Sequence, residues 1–122
     1  MIKKTSWRPL PDFLTIRESK IDGLGIFATS DLPVGFDLGI SHIFDERFAD
    51  GYIRLPLGGF INHHEIPNCN AIILDKDKEM GNLKHIRIKS IEQISKGDEI
   101  TIKYIINQLE DPNWEFEYEA SQ

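Results

Sequence analysis

Short apolar runs of strand length recur along the chain, each closed by Gly, Pro, Asp or Asn, and no stretch sustains the roughly 3.6-residue period of a long helix. The pattern predicts a mostly β protein with few short helices. Residues 13–17 (FLTIR) predict a first strand, Asp22-Gly23 a turn and residues 25–28 a second strand. Leu32-Pro33-Val34-Gly35 turns the chain again before a strand over 36–43, and a short helix is expected in 44–52. Residues 70–74 and 83–89 predict a hairpin-like pair around the charged turn Asp75-Lys76-Asp77-Lys78, whose loop should lie in solvent. Ser95-Lys96-Gly97-Asp98 makes one more turn ahead of a β-rich segment, 99–104.

Composition narrows the class. The 122 residues are 40% apolar and 28% charged, the proportions of an ordinary globular chain, so one domain spanning 1–122 is expected. Lys3 and Lys4 have no apolar run behind them. Neither a secretory signal nor a membrane-spanning helix is therefore expected, which leaves a soluble intracellular protein. Cys69 is the sole cysteine, and one copy of the chain can build neither a disulfide nor a cysteine-rich zinc cluster. A net charge of −6 runs against a nucleic-acid partner, because phosphate binding needs a clustered basic face. A basic peptide suits it better, although negative charge is also a common solubility device.

Three segments carry candidate chemistry. In Lys20-Ile21-Asp22-Gly23-Leu24-Gly25-Ile26-Phe27 two glycines bracket one residue, which lets backbone N–H and C=O groups approach a ligand; an ordinary hairpin turn has the same look. In Gly58-Gly59-Phe60-Ile61-Asn62-His63-His64-Glu65-Ile66-Pro67-Asn68-Cys69, amide and imidazole groups follow an apolar pair. Asn62 is suited to hold an amino-acid ammonium or carboxylate, since its amide both donates and accepts. His63, His64 and Cys69 invite a zinc reading, but adjacent residues of an extended stretch point to opposite sides, and no metal is expected. Gly97-Asp98-Glu99-Ile100-Thr101-Ile102-Lys103-Tyr104 is a tight turn feeding a strand that ends in Tyr104. By itself a strand-end tyrosine packs its ring and turns its hydroxyl outward.

Taken in order, a glycine turn, Asn-His-x-x-x-Pro-Asn-Cys and Gly-Asp-Glu-Ile-Thr-x-x-Tyr resemble the SET-domain lysine methyltransferases over residues 13–104. The sequence departs from the family pattern at His64, where Ser is usual, at Ile102-Lys103, where an aromatic and acidic pair is often seen, and at Leu24, where an aromatic is frequent. The resemblance implies a fold of small β-sheets, β-clip-like, with a C-terminal pseudoknot in which the two later segments thread together. It implies S-adenosylmethionine as cofactor, S-adenosylhomocysteine as product, and no metal. By position it assigns the backbone around Gly23, Leu24, Gly25 and Ile26, together with Asn62, His63 and Tyr104, to the cofactor. It makes Tyr104 the catalytic tyrosine and Tyr52 a candidate lining of the substrate channel.

Many family members close the lysine channel with a cysteine-rich segment that this chain cannot build. The tail, 105–122, alternates aromatic and acidic residues in Trp114-Glu115-Phe116-Glu117-Tyr118-Glu119. At strand period that alternation puts Trp114, Phe116 and Tyr118 on one face, available either to close the channel or to pack as an edge strand on the core or a second subunit. The expected partner is a lysine-containing, basic protein, with no nucleic acid or membrane and with a homodimer open. The alternative class is a noncatalytic SET-like or β-clip module that binds a basic peptide or another partner.

Overall fold

Ile, Leu and Phe fill the apolar runs, and in the computed structural model, which describes residues 9–103, those runs become strands. The elements are β1 (Leu14–Glu18), β2 (Leu24–Ala28), β3 (Asp37–Phe44), β4 (Tyr52–Arg54), α1 (Pro56–Phe60), β5 (Asn62–His63), β6 (Cys69–Leu74), β7 (His85–Ser90) and β8 (Glu99–Ile102). Among the described residues no helix is long and apolar enough to cross a membrane. The strands form two four-stranded sheets, ordered β1-β2-β8-β5 and β4-β3-β7-β6. All neighbours run antiparallel except β5 and β8, which are parallel, with Asn62 opposite Thr101 and His63 opposite Ile102.

Burial follows the strand period. Leu14, Ile26, Leu38, Ile86, Ile88, Ile94, Ile100 and Ile102 belong to one apolar core, and Ile26 sits directly opposite Ile100 across β2 and β8. Strand β7 lies between β3 and β6, and Ile86 and Ile88 alternate along it with His85 and Arg87, all four buried. Burying those polar side chains requires partners. Arg87 finds Asp37 at 3.1 Å, Asp77 at 2.8 Å and Glu79 at 2.6 Å, while His85 Nε2 lies 2.9 Å from the same Asp77 carboxylate.

Two expectations are corrected. The short helix expected in 44–52 is instead a series of turns between Phe44, the end of β3, and Tyr52, the start of β4, and the helix lies further on, at Pro56–Phe60. Asp45 explains the first half: its carboxylate accepts from the Arg47 amide at 3.0 Å and side chain at 2.9 Å, a local bond that competes with helical pairing. Pro56 explains the second, because its ring presets the backbone for a first helical position and its missing N–H has no role there. The loop at 75–78 is not simply solvated. Asp77 accepts from the Met80 amide, Arg87 and His85, and these bonds, the Met80 amide first, hold its carboxyl down at about 2.

The chain from Asn62 to Cys69 wraps β8. Asn68 Nδ2 donates to the Glu99 carbonyl at 2.8 Å, and the Thr101 amide donates back to Asn68 Oδ1 at 2.9 Å. The His64 amide adds a bond to the Ile102 carbonyl at 2.9 Å. Strand β8 is thus held by β2 on one side and by a threaded segment on the other.

Helix α1 packs on β3 where Gly58 leaves no room for a side chain, since a Cβ would overlap the Ser41 carbonyl and the His42 ring. His42 is fully buried; its Nδ1 lies 2.9 Å from Ser41 Oγ, and Nε2 has no hydrogen-bond partner among the described residues. Burial, with the nearby Arg54 charge, pushes this imidazole down from 6.5 to about 4. The unfolded chain then binds a proton, from pH 6.5 down to about 4, that the folded chain excludes. Stability is fully present above the upper value and is lost as pH falls through this window, by about 3 kcal/mol. Urea unfolding as a function of pH should show that slope in the wild type and not in His42→Gln; equal slopes would show that His42 does not carry it.

Candidate functional site

The β1–β2 connection is built by Ser19. Its amide donates to the Gly23 carbonyl at 2.8 Å, and its hydroxyl accepts from the Ile21 amide at 2.9 Å. Closing so tight a turn needs a left-handed residue, and Gly23 supplies it at φ +47°. The turn brings the Asp22 and Leu24 carbonyls to bear on Asn62, whose Nδ2 donates to them at 3.1 and 3.2 Å. Asn62 is nearly buried at the start of β5, opposite Thr101.

Glu99 joins the cluster from β8. Its carboxylate accepts from Ser19 Oγ at 2.8 and 2.9 Å and from Asn62 Nδ2 at 2.8 Å. It also lies against Gly25, where a Cβ would overlap Oε2. Gly25 is therefore needed for close approach, not for an unusual backbone angle. The three sequence segments, the glycine turn, the Asn-His segment and the Gly-Asp-Glu segment, meet at this point.

Donor supply decides what the cluster can hold. One amide nitrogen with two hydrogens faces the Asp22 and Leu24 carbonyls and Glu99 Oε2, all within 3.2 Å, beside a Ser19 Oγ whose lone pairs already face the Ile21 and Asp22 amides. Acceptors outnumber donors, and this surplus also fixes which way the amide points. The site suits a group rich in N–H, such as an ammonium, and is a poor home for a carboxylate. Of the two roles open to Asn62, the ammonium side is the one its surroundings match.

The other candidates fall as follows. Ile26 is fully buried, paired with Ile16 on one side and Ile100 on the other, whereas Leu24 is exposed. His63 Nε2 pairs with Glu65 at 2.9 Å on the rim of β5, and a Lys103–Glu65 contact at 3.7 Å lies beside it. His64 Nδ1 accepts from the Ile66 amide, and Cys69 is buried, its thiol pushed up to about 12 by desolvation first and the Glu92 charge second. Tyr52 is buried in an aromatic group with His42 and Phe44, ring centres 5.0 and 6.3 Å away, and its hydroxyl accepts from Arg54 at 3.2 Å. Nothing described joins it to Asn62 or Gly25. Tyr104, Trp114, Phe116 and Tyr118 lie outside the described residues.

Ser19 and Glu99 were not singled out by the sequence. Glu99 stands in the quoted Gly-Asp-Glu segment, but a carboxylate opening a strand reads as a solvated edge until the glycine turn is folded beside it. A separate apolar cavity of about 370 Å³, lined by Leu10, Leu38, Ile40 and Leu57 among others, shares no residue with this cluster.

A family model for the SET domain matches residues 36–105, more than half of the chain. The chain belongs to the SET-domain family. The match takes in Asn62, Glu99 and Tyr104, while the glycine turn lies ahead of it. Among solved structures, the SET domain here is similar to a crystal structure of a candidate histone methyltransferase from Plasmodium falciparum, 24% identical, TM-score 0.61, covering 78% of this chain and 95% of that one. It is also similar to a humanized mutant of the Chaetomium thermophilum Polycomb Repressive Complex 2 bound to an inhibitor, 20% identical, TM-score 0.58, covering 75% of this chain. The apo, autoinhibited form of that complex is 18% identical, TM-score 0.58, over 88% of this chain. This chain spans only 14% and 17% of the two Polycomb chains. At these identities the likeness speaks for the fold alone. No curated protein matches the chain.

The Gly25–Glu99 contact is testable within this SET domain. Gly25→Ala should cost about 1–2 kcal/mol in thermal or urea unfolding, because the added methyl displaces the Glu99 carboxylate from Ser19 and Asn62. In a Glu99→Ala background the same substitution should cost much less. An equal cost in both backgrounds would mean that the glycine is required for another reason.

Proposed function

We propose that this SET domain transfers a methyl group from S-adenosylmethionine to the side-chain amine of a lysine in a basic protein segment, releasing S-adenosylhomocysteine. The observation that carries the reading is the convergence of the glycine turn, Asn62 and Glu99 into one acceptor-rich cluster, matched to the ammonium of an amino acid. S-adenosylmethionine supplies an electrophilic methyl on a sulfonium, which a neutral amine can attack in line. The backbone of Gly23, Leu24, Gly25 and Ile26, with Asn62, His63 and Tyr104, holds it in this reading.

Free lysine has a pKa near ~10.4 and is mostly protonated at neutral pH, so the protein must favour the neutral amine. A narrow aromatic channel does so by desolvation. The Tyr104 phenol, itself a weak acid, orients the amine by hydrogen bonding rather than removing its proton. Holding the nucleophile in line supplies a large share of the rate. The tail, 105–122, with Trp114, Phe116 and Tyr118, closes the channel in this account, and the net charge of −6 favours a basic substrate. No metal takes part.

Labelled-methyl transfer to basic proteins and lysate tests the reading. Tyr104→Phe should lower turnover about a hundredfold while leaving cofactor affinity nearly unchanged. Cofactor binding without Tyr104-dependent label on any protein would replace this reading with a noncatalytic SET module.

A further inference from the structure

We infer that Glu99 is the charged residue that receives the cofactor's ammonium and so selects ligands carrying one. The inference rests on the cofactor reading of this site and adds to it a residue and a rule of discrimination.

Glu99 is half-buried, and the groups that hydrogen-bond its carboxylate are neutral: the Ser19 hydroxyl and the Asn62 amide. No ion pair among the described residues involves it. The contrast with Arg87 is instructive, since the buried charge of that network is matched by three carboxylates within 3.1 Å. A carboxylate drawn partly out of water and met only by neutral donors leaves an electrostatic demand that a ligand cation satisfies.

Its position directs that demand at the glycine turn. Glu99 Oε2 lies flush on Gly25, in the space a Cβ would take, beside the two turn carbonyls. Asn62 has two hydrogens for the Asp22 and Leu24 carbonyls and Glu99 Oε2, all within 3.2 Å of it, whereas an ammonium brings three more donors and a full positive charge. A ligand carboxylate placed here would meet Glu99 with like charge. The amino-acid part therefore presents its ammonium to Glu99, and a ligand without that group forfeits the charge-assisted bond.

Ser19 positions the carboxylate. Its hydroxyl reaches both carboxylate oxygens while its own lone pairs take the Ile21 and Asp22 amides, so the bend of the turn and the placement of Glu99 are set by one side chain.

The experiment is calorimetric titration of the full chain with S-adenosylhomocysteine and with its des-amino analogue, which keeps adenosine, sulfur and carboxylate but lacks the ammonium. Wild type should prefer S-adenosylhomocysteine, and Glu99→Gln, which keeps the size of the side chain and one acceptor oxygen for Asn62 but removes the charge, should bind it about tenfold more weakly while binding the analogue no less tightly. Ser19→Ala, which leaves the charge but loosens it, should shift the same ratio in the same direction by less. Equal losses for both ligands, or no loss in Glu99→Gln, would overturn the role of Glu99 while leaving the cofactor site standing. No binding of S-adenosylhomocysteine to wild type would overturn both.

Discussion

Everything proposed for this SET domain depends on how strand β8 is held. Of its four residues, Glu99 and Ile100 pair with β2 on one side, and Thr101 and Ile102 run parallel to the two-residue β5 on the other. So short a parallel pair contributes little by itself, and the side chain of Asn68 makes up the difference by bonding the backbone of β8 in both directions. With β8 fixed, Ile100 and Ile102 enter the core and Glu99 is delivered to the glycine turn. The Ser19–Glu99 hydrogen bond, which spans 80 residues of sequence, and the candidate site are the same piece of architecture.

The cluster at the glycine turn and the network around Arg87 show two ways of housing charge in a small β protein. Arg87 is buried and fully matched, and its carboxylate partners tie the 75–81 loop to the sheet. Glu99 is half-buried and meets only neutral donors among the described residues. The first arrangement is complete without a ligand. The second has acceptors to spare, and the proposed ammonium site rests on that difference.

Much of the strand order was legible because the apolar runs alternate and end in turn residues: β1, β2, β3, β6, β7 and β8 all fall within a residue or two of the pattern. The helix was misplaced because 44–52 has helix-compatible composition, yet Asp45 captures its own downstream amide and Pro56 offers a better start. The 75–78 turn looked solvated because charge reads as exposure, and only the burial of Arg87 and His85 on the facing strand shows otherwise. Gly23, Gly25 and Asn62 were legible through order and resemblance. Ser19 and Glu99 were not, since their significance comes from a contact across 80 residues of sequence that no local pattern contains.

The most direct measurement is amide chemical-shift mapping of the full chain while S-adenosylmethionine is added. The account predicts the largest shifts in the turn from Ser19 to Ile26, at Asn62 and His63, and at Glu99, because the acceptor-rich cluster there is the one matched to an amino-acid ammonium. Shifts confined to the apolar cavity beside Leu10, Leu38 and Leu57, or no shifts at saturating cofactor, would contradict it.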